Sequence, residues 1–139
     1  MTHSRKDYPL AETQPGSVMG ARGKALSGIT LDVVLAGGVT MADLRITPQA
    51  LQAQAEIAAD AGRTALAANF RRAAELVDVP QDFIMEVYEL LRPGRATSQQ
   101  PLLQAAQKLR DEYGASRMAD FVEEAAQTYE ERGLFQHRF

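Results

Sequence analysis

Cysteine is absent from the sequence, which excludes a disulfide, a thiolate nucleophile and a thiolate metal ligand. Tryptophan is absent as well, and only 5 Phe and 4 Tyr stand among 139 residues. Large side chains dominate the energetics of a core, so a chain short of them is lean. There is no excess of positive charge either. The formal net charge is −3, whereas neutralising nucleic-acid phosphates needs a basic surplus or patch. A nucleic-acid partner is not expected. No apolar run approaches the ~20 residues of a membrane span, and the opening MTHSRKDYPLAETQPG lacks the apolar stretch of a signal peptide. The expectation is a soluble, cytoplasmic chain of one domain's length with no membrane partner.

What is present is alanine and helix punctuation. Alanine fills much of 50–74; it favours helix but buries little area per residue. Stabilisation by a partner protein is a natural expectation for such a core. Residues 1–29 read as an extended N-terminal arm, since Pro9, Pro15, Gly16, Gly20, Gly23 and Gly28 recur without helical or strand period. Two readings of the arm stand side by side: a disordered tail, or a segment that orders on a neighbouring surface through Tyr8, Pro9 and Leu10.

Residues 30–139 read as a helical domain. Thr30 can cap a short helix through Leu31, Val34 and Leu35 that closes at Gly37-Gly38, and Thr40 with Asp43 has the spacing of a capping box. The best-punctuated stretch runs from Asp43 to Arg95. Thr47-Pro48 opens a helix whose inner face is Leu51, Ala55 and Ala58, with Gly62 either its stop or a point of close helix contact. Leu66, Phe70, Ala73 and Val77 predict the inner face of the next helix, and Val79-Pro80 interrupts the pattern. Phe83, Ile84, Val87, Tyr88 and Leu91 form a further stripe, ended by Pro93-Gly94. Ser98 is placed to cap a helix carrying Leu102, Leu103, Ala106, Leu109 and Tyr113, which stops at Gly114. The last helix has Met118, Phe121, Val122, Ala125 and Tyr129 inside, with Asp120, Glu123, Glu124, Gln127, Glu130 and Glu131 in water. No alternating strand pattern competes, so the fold class is all-α: short helices joined by tight turns.

The chemistry is sparse. Gly23-Lys24 suggests a phosphate loop, but the required earlier glycine and following hydroxyl are replaced by Val18 and Ala25. His3 and His137 lie near opposite ends of the chain with no acid at zinc-ligand spacing. No serine sits in a strand–turn–helix elbow. Glu123-Glu124 and Glu130-Glu131 fall on the polar side of a helix, where water keeps carboxylates ordinary. Arg71, Arg72, Arg92 and Arg95 are the charges of interest. They either fork onto carboxylates or carbonyls of another subunit, or serve solubility alone, Arg72 forming a weak pair with Glu75. No residue is expected to be catalytic, to bind a cofactor or to ligate a metal.

A family likeness runs through Asp7-Tyr8-Pro9-Leu10-Ala11, Thr30-Leu31, Val34-Leu35, Arg45-Ile46-Thr47, Gln54-Ala55 and Ile57-Ala58. It continues through Asn69-Phe70-Arg71-Arg72-Ala73-Ala74-Glu75-Leu76, Val79-Pro80, Tyr88, Leu91-Arg92-Pro93, Arg95, Phe121-Val122, Glu124-Ala125 and Tyr129. Through these residues the chain resembles the small (gamma) subunit of adenosylcobalamin-dependent diol and glycerol dehydratases. The resemblance implies a three-subunit hydro-lyase, paired as a dimer of heterotrimers. Such enzymes convert 1,2-propanediol to propanal, or glycerol to 3-hydroxypropanal, with loss of water, through a radical released by homolysis of the cobalt–carbon bond. It further implies that substrate and a monovalent or divalent metal ion sit in the large (alpha) subunit. Cobalamin lies between the large and medium (beta) subunits, and the small subunit packs on the large one without contributing reacting groups.

Two departures stand out: Gly94 occupies a place where the family pattern has an aromatic residue, and the N-terminus is short, which leans toward the glycerol-dehydratase form. Recruitment to a bacterial microcompartment is left open. The expectation is a non-catalytic subunit that stabilises the large subunit through its arm and through the arginines around Phe70 and Pro93. The alternatives are a free-standing helical adaptor with no enzyme partner, and an enzyme in its own right.

Overall fold

The computed structural model describes residues 2–136. Among these the secondary structure is helical, with one isolated antiparallel bridge and no β-strand, as the sequence period requires. The chain falls into two units, Met1–Val77 and Asp78–Phe139. The first holds α1 (Leu10–Thr13), α2 (Leu31–Leu35), α3 (Met41–Leu44), α4 (Pro48–Asp60) and α5 (Thr64–Leu76). The second holds α6 (Gln81–Leu91), α7 (Gln100–Tyr113) and α8 (Ser116–Glu131).

In the first unit the α4–α5 hairpin is the main packing element. The Thr47 hydroxyl accepts the Ala50 N–H at 3.1 Å, and Pro48 takes the first helical position, where its missing N–H leaves nothing unpaired. The end of α4 decides between the two readings of Gly62. Arg63 N–H donates to Ala58 O at 2.8 Å and Gly62 N–H to Ala59 O at 3.0 Å, the paired bonds of a left-handed helix stop, with Gly62 at φ +74°. A Cβ there would meet nothing. Gly62 is a stop for backbone reasons, not a helix contact.

The buried side of α5 differs from the expected one. Ala67 and Ala74 are its buried residues, whereas Leu66 is exposed and Phe70, Ala73 and Val77 are half-buried. On α4 the buried residues are Leu51, Ala53, Ala55, Ile57 and Ala58. Alanines on both helices let the backbones approach closely, so the seam selects small residues and leaves larger ones at its flanks.

Residues 2–29 pack against α4 of their own chain. Leu10 joins a cluster with Ala53 and Ile57 of α4, with Val18 packed against it. Tyr8, one of the expected anchors, is exposed instead. The glycine-rich part turns back on itself, with Gly20 N–H donating to Lys24 O at 2.9 Å and Leu26 N–H to Val18 O at 3.0 Å. A short, aperiodic segment thus meets its backbone needs by turns and offers one leucine to the helix beneath it.

In the second unit α7 and α8 form a hairpin turned at Gly114, whose N–H donates to Arg110 O while Ala115 N–H donates to Leu109 O. Leu102, Leu109 and Val122 are its largest fully buried side chains. Ser98 does not cap α7. The position before the helix is Gln99, with no side-chain cap, and Pro101 in the first turn starts the helix without one. The buried line of α8 is Ala119, Val122 and Ala126, preceded by Ala115. Met118, Ala125 and Tyr129 are only half-buried and Phe121 is exposed, so here too the seam runs along the small residues. On α6, Phe83 and Val87 are buried while Tyr88 of the expected stripe is exposed. The Phe83 ring lies 5.7 Å from that of Tyr113 and carries Lys108 Nζ 4.4 Å above it, and the Tyr129 hydroxyl donates to Leu91 O at the end of α6.

Candidate partner-binding surface

The segment from Leu31 to Ile46 buries the carboxylate of Asp43 and leaves its large apolar side chains exposed. The Thr30 hydroxyl accepts Val33 N–H at 3.4 Å and starts α2. The Asp43 carboxylate accepts Thr40 N–H at 2.8 Å and the Thr40 hydroxyl at 3.2 Å, closing the capping box that starts α3. Asp43 is the one charged side chain among the described residues that is buried. The Thr40 N–H holds its carboxyl below the usual carboxylate range against the opposing effect of burial, and Arg22, 3.7 Å away, adds to it. The arm supports this anchor from beside it. Arg22 donates to the Thr40 hydroxyl at 3.3 Å, Lys24 donates to Gly38 O, and a Cβ on Gly20 would lie 2.0 Å from Asp43 O. Gly20 is there because the backbone of α3 passes where any side chain would stand. The Gly23-Lys24 pair thus belongs to a turn and a strut between two loops.

Meanwhile α2 buries no residue, and α3 buries only Asp43. Leu31, Val34, Leu35, Met41, Leu44 and Ile46 are all exposed. Leucines, a valine and a methionine face water from two single-turn helices, with an isoleucine just beyond them, and none of the six joins the core of this unit. Helices so short are marginal alone and are held here by their caps.

A second polar anchor ties the N-terminus to α4. Glu56 accepts Thr2 N–H at 3.0 Å and His3 N–H at 2.9 Å, and His3 Nδ1 lies 3.1 Å from the same oxygen. Arg5 N–H donates to Asp60 at 2.9 Å. Burial acts to raise the Glu56 pKa, but the His3 and Thr2 donors outweigh it and hold the carboxyl below its ordinary value. His3 is committed to this bond, and His137 lies outside the described residues. Beside the anchor, Leu10, Val18, Met19, Ala50 and Ala53 line an open cleft of about 620 Å³ whose one ionisable lining group is His3. A lone imidazole already paired with a carboxylate offers no second group for acid–base work. Among the described residues no cluster of three His, Cys, Asp or Glu could hold a metal ion, and no helix is long and apolar enough to cross a membrane.

The arginines singled out from sequence are partly engaged within the chain. Arg72 donates to Asn69 Oδ1 on α5, where Arg71 is also half-buried. Arg92 lies 3.1 Å from Glu89 and Arg95 lies 3.8 Å from the same carboxylate. Sequence reasoning missed the strongest ionic contact. Arg110, near the end of α7, donates to Glu123 and to Asp120 on α8, each at 2.7 Å. Glu123 is therefore not one of the ordinary solvated carboxylates expected: the Arg110 bond lowers its pKa, and the two acids raise that of Arg110. The signal was the tight turn at Gly114, which brings the last turn of α7 beside the first turns of α8. The sequence period alone does not fix which residues then face each other.

Comparison with known proteins follows the same residues. The family model described as dehydratase small subunit matches residues 3–136. The propanediol dehydratase small subunit of Citrobacter freundii is 52% identical over 126 residues, which span 91% of this chain and 73% of that protein. The protein of the same description from Salmonella typhimurium strain LT2 is likewise 52% identical over 126 residues, spanning 91% of this chain and 72% of its own length.

Proposed function

The chain belongs to the dehydratase small-subunit family, and from that membership we propose its place in the working enzyme. It is a small subunit of a diol dehydratase, a hydro-lyase. In the finer reading its partners are a large and a medium subunit, assembled as a dimer of heterotrimers that acts on 1,2-propanediol, glycerol or both. The complex resides in the cytoplasm or within a microcompartment. Residues 1–29 form the arm of a helical body at 30–139, no residue of the chain is catalytic, and its task is to pack on and stabilise the large subunit. The observation that carries the reading is the family match over residues 3–136.

Adenosylcobalamin, when bound, supplies the radical chemistry of such an enzyme, and a metal ion accompanies the substrate. The described residues of this chain do not fit either group: His3 is held by Glu56, and no group of three His, Cys, Asp or Glu among them is placed to hold a metal ion. Both groups are accordingly assigned to the other subunits. What this chain supplies is two helix hairpins and an exposed apolar surface.

Co-expression with the large and medium subunits tests the reading. The expected result is co-purification of all three chains and aldehyde formation from 1,2-propanediol or glycerol once adenosylcobalamin is added. A chain that never co-purifies would leave the free-standing adaptor in its place, and aldehyde formation by the isolated chain would make it an enzyme in its own right. Within the same assay, Arg71→Ala with Arg72→Ala should weaken assembly while leaving helicity unchanged.

A further inference from the structure

We infer that the exposed apolar side of α2 and α3 is the surface on which the large subunit docks, an inference that rests on the small-subunit reading above. Leu31, Val34 and Leu35 stand at helical spacing on one side of α2, and Met41 and Leu44 on one side of α3, with Ile46 just beyond. Their exposures are 72% for Leu31, 76% for Leu35 and 79% for Met41, with 57% for Leu44, 54% for Ile46 and 47% for Val34.

The area they offer matches an interface. Together the six residues present roughly 700–800 Å² to solvent, close to the ~800 Å² that each partner contributes to a standard interface and above the largest patch of a typical monomer. Five residues join the two helices, so six steps of chain separate Leu35 from Met41, and six steps reach at most about 21 Å. The facing ends of the two helices therefore fall within the breadth of one such interface.

Charge points to a permanent partner. From Leu31 to Ile46 the charged residues are Asp32, Asp43 and Arg45, and Asp43 is buried. One exposed acid and one exposed base are left, and depletion of charge is the mark of an interface centre. The construction beneath points the same way, because the caps of Thr30 and Thr40, the buried Asp43 and the struts from Arg22 and Lys24 hold the outward leucines in place before any partner arrives. A preordered surface loses little side-chain and loop freedom on binding. A large subunit that stays bound is the occupant such a surface suits. In the second unit the exposed large apolar residues among those described are Met85, Tyr88 and Phe121, divided between two helices.

The test is made in the three-subunit complex, with the tag on the large subunit. Wild-type small subunit should be retained, and Leu35→Asp combined with Met41→Glu should reduce its retention at least tenfold while its far-UV circular dichroism stays unchanged. Retention of the double variant at the wild-type level overturns the surface assignment and leaves the family reading standing. Failure of the wild type to be retained overturns the reading itself. Should the variant lose helicity, a photo-crosslinking residue placed singly at position 35 or 41 of the otherwise native chain decides the matter. Capture of the large subunit supports the inference, and capture of the medium subunit or of a second copy of this chain overturns it.

Discussion

Replacing Leu10 by alanine removes three carbons from the cluster that joins the arm to Ala53 and Ile57 of α4. At about 0.8 kcal/mol for each buried carbon group the transfer loss is ~2.4 kcal/mol. The site lies at the edge of its unit and can partly close over the gap, so the low end of the leucine-to-alanine range applies, about 2 kcal/mol. That loss falls on the docking of the arm. Every 1.4 kcal/mol is a factor of ten, so the undocked arm should become roughly 30-fold more populated. Limited trypsinolysis of the full chain reads this at Arg5 and Lys6, since cleavage follows the open population when reclosing is fast. Leu10→Ala should speed cleavage there by about that factor, while Tyr8→Ala, at an exposed position, should change the docking by under ~0.5 kcal/mol. Equal cleavage rates for wild type and Leu10→Ala would refute the argument and restore a free tail.

Two further outcomes follow from the ionic contacts. The folded pKa of Glu56 lies below its unfolded value, so its hold on the arm is complete above the unfolded glutamate value near ~4.3 and fades as pH falls through the folded one. The hydrogen-exchange protection of Thr2 and His3, taken relative to the intrinsic rate at each pH, should fall in acid, and Glu56→Gln should remove that fall; an unchanged protection profile would count against the anchor. Arg110→Ala should make the α7–α8 hairpin less resistant to urea at low salt, with the difference shrinking toward ~1 M salt, where screening reaches about 3 Å. A salt-independent difference would show that Arg110 acts by packing alone.

Much of the fold was legible because the chain marks its helix ends with side chains that act locally. Thr30, Thr40 with Asp43, and Thr47-Pro48 all start helices as their chemistry requires. The seams were harder to read. Apolar period favours the larger side chain on each turn, and it put Leu66 and Phe121 inside, whereas the close-packed lines run through Ala67 and Ala74, and through Ala119 and Ala126. The arm's order was invisible for another reason: Glu56 and Asp60 bind backbone N–H groups more than fifty positions away, and no local pattern announces such a bond. The candidate surface was half legible. The helix of Leu31, Val34 and Leu35 was expected, but apolar spacing alone does not say that these side chains stay exposed.

The alanine seams also govern which substitutions the chain can survive. Ala55 and Ala67 in one hairpin, and Ala106, Ala119 and Ala126 in the other, have no measurable exposure. At such a position every larger side chain must push two helices apart, and the only smaller residue, glycine, costs about 1 kcal/mol of helix propensity. The permitted alphabet is close to a single letter. Drift in this subunit should therefore accumulate at the flanks, while the spacing between paired helices stays fixed from one descendant to the next.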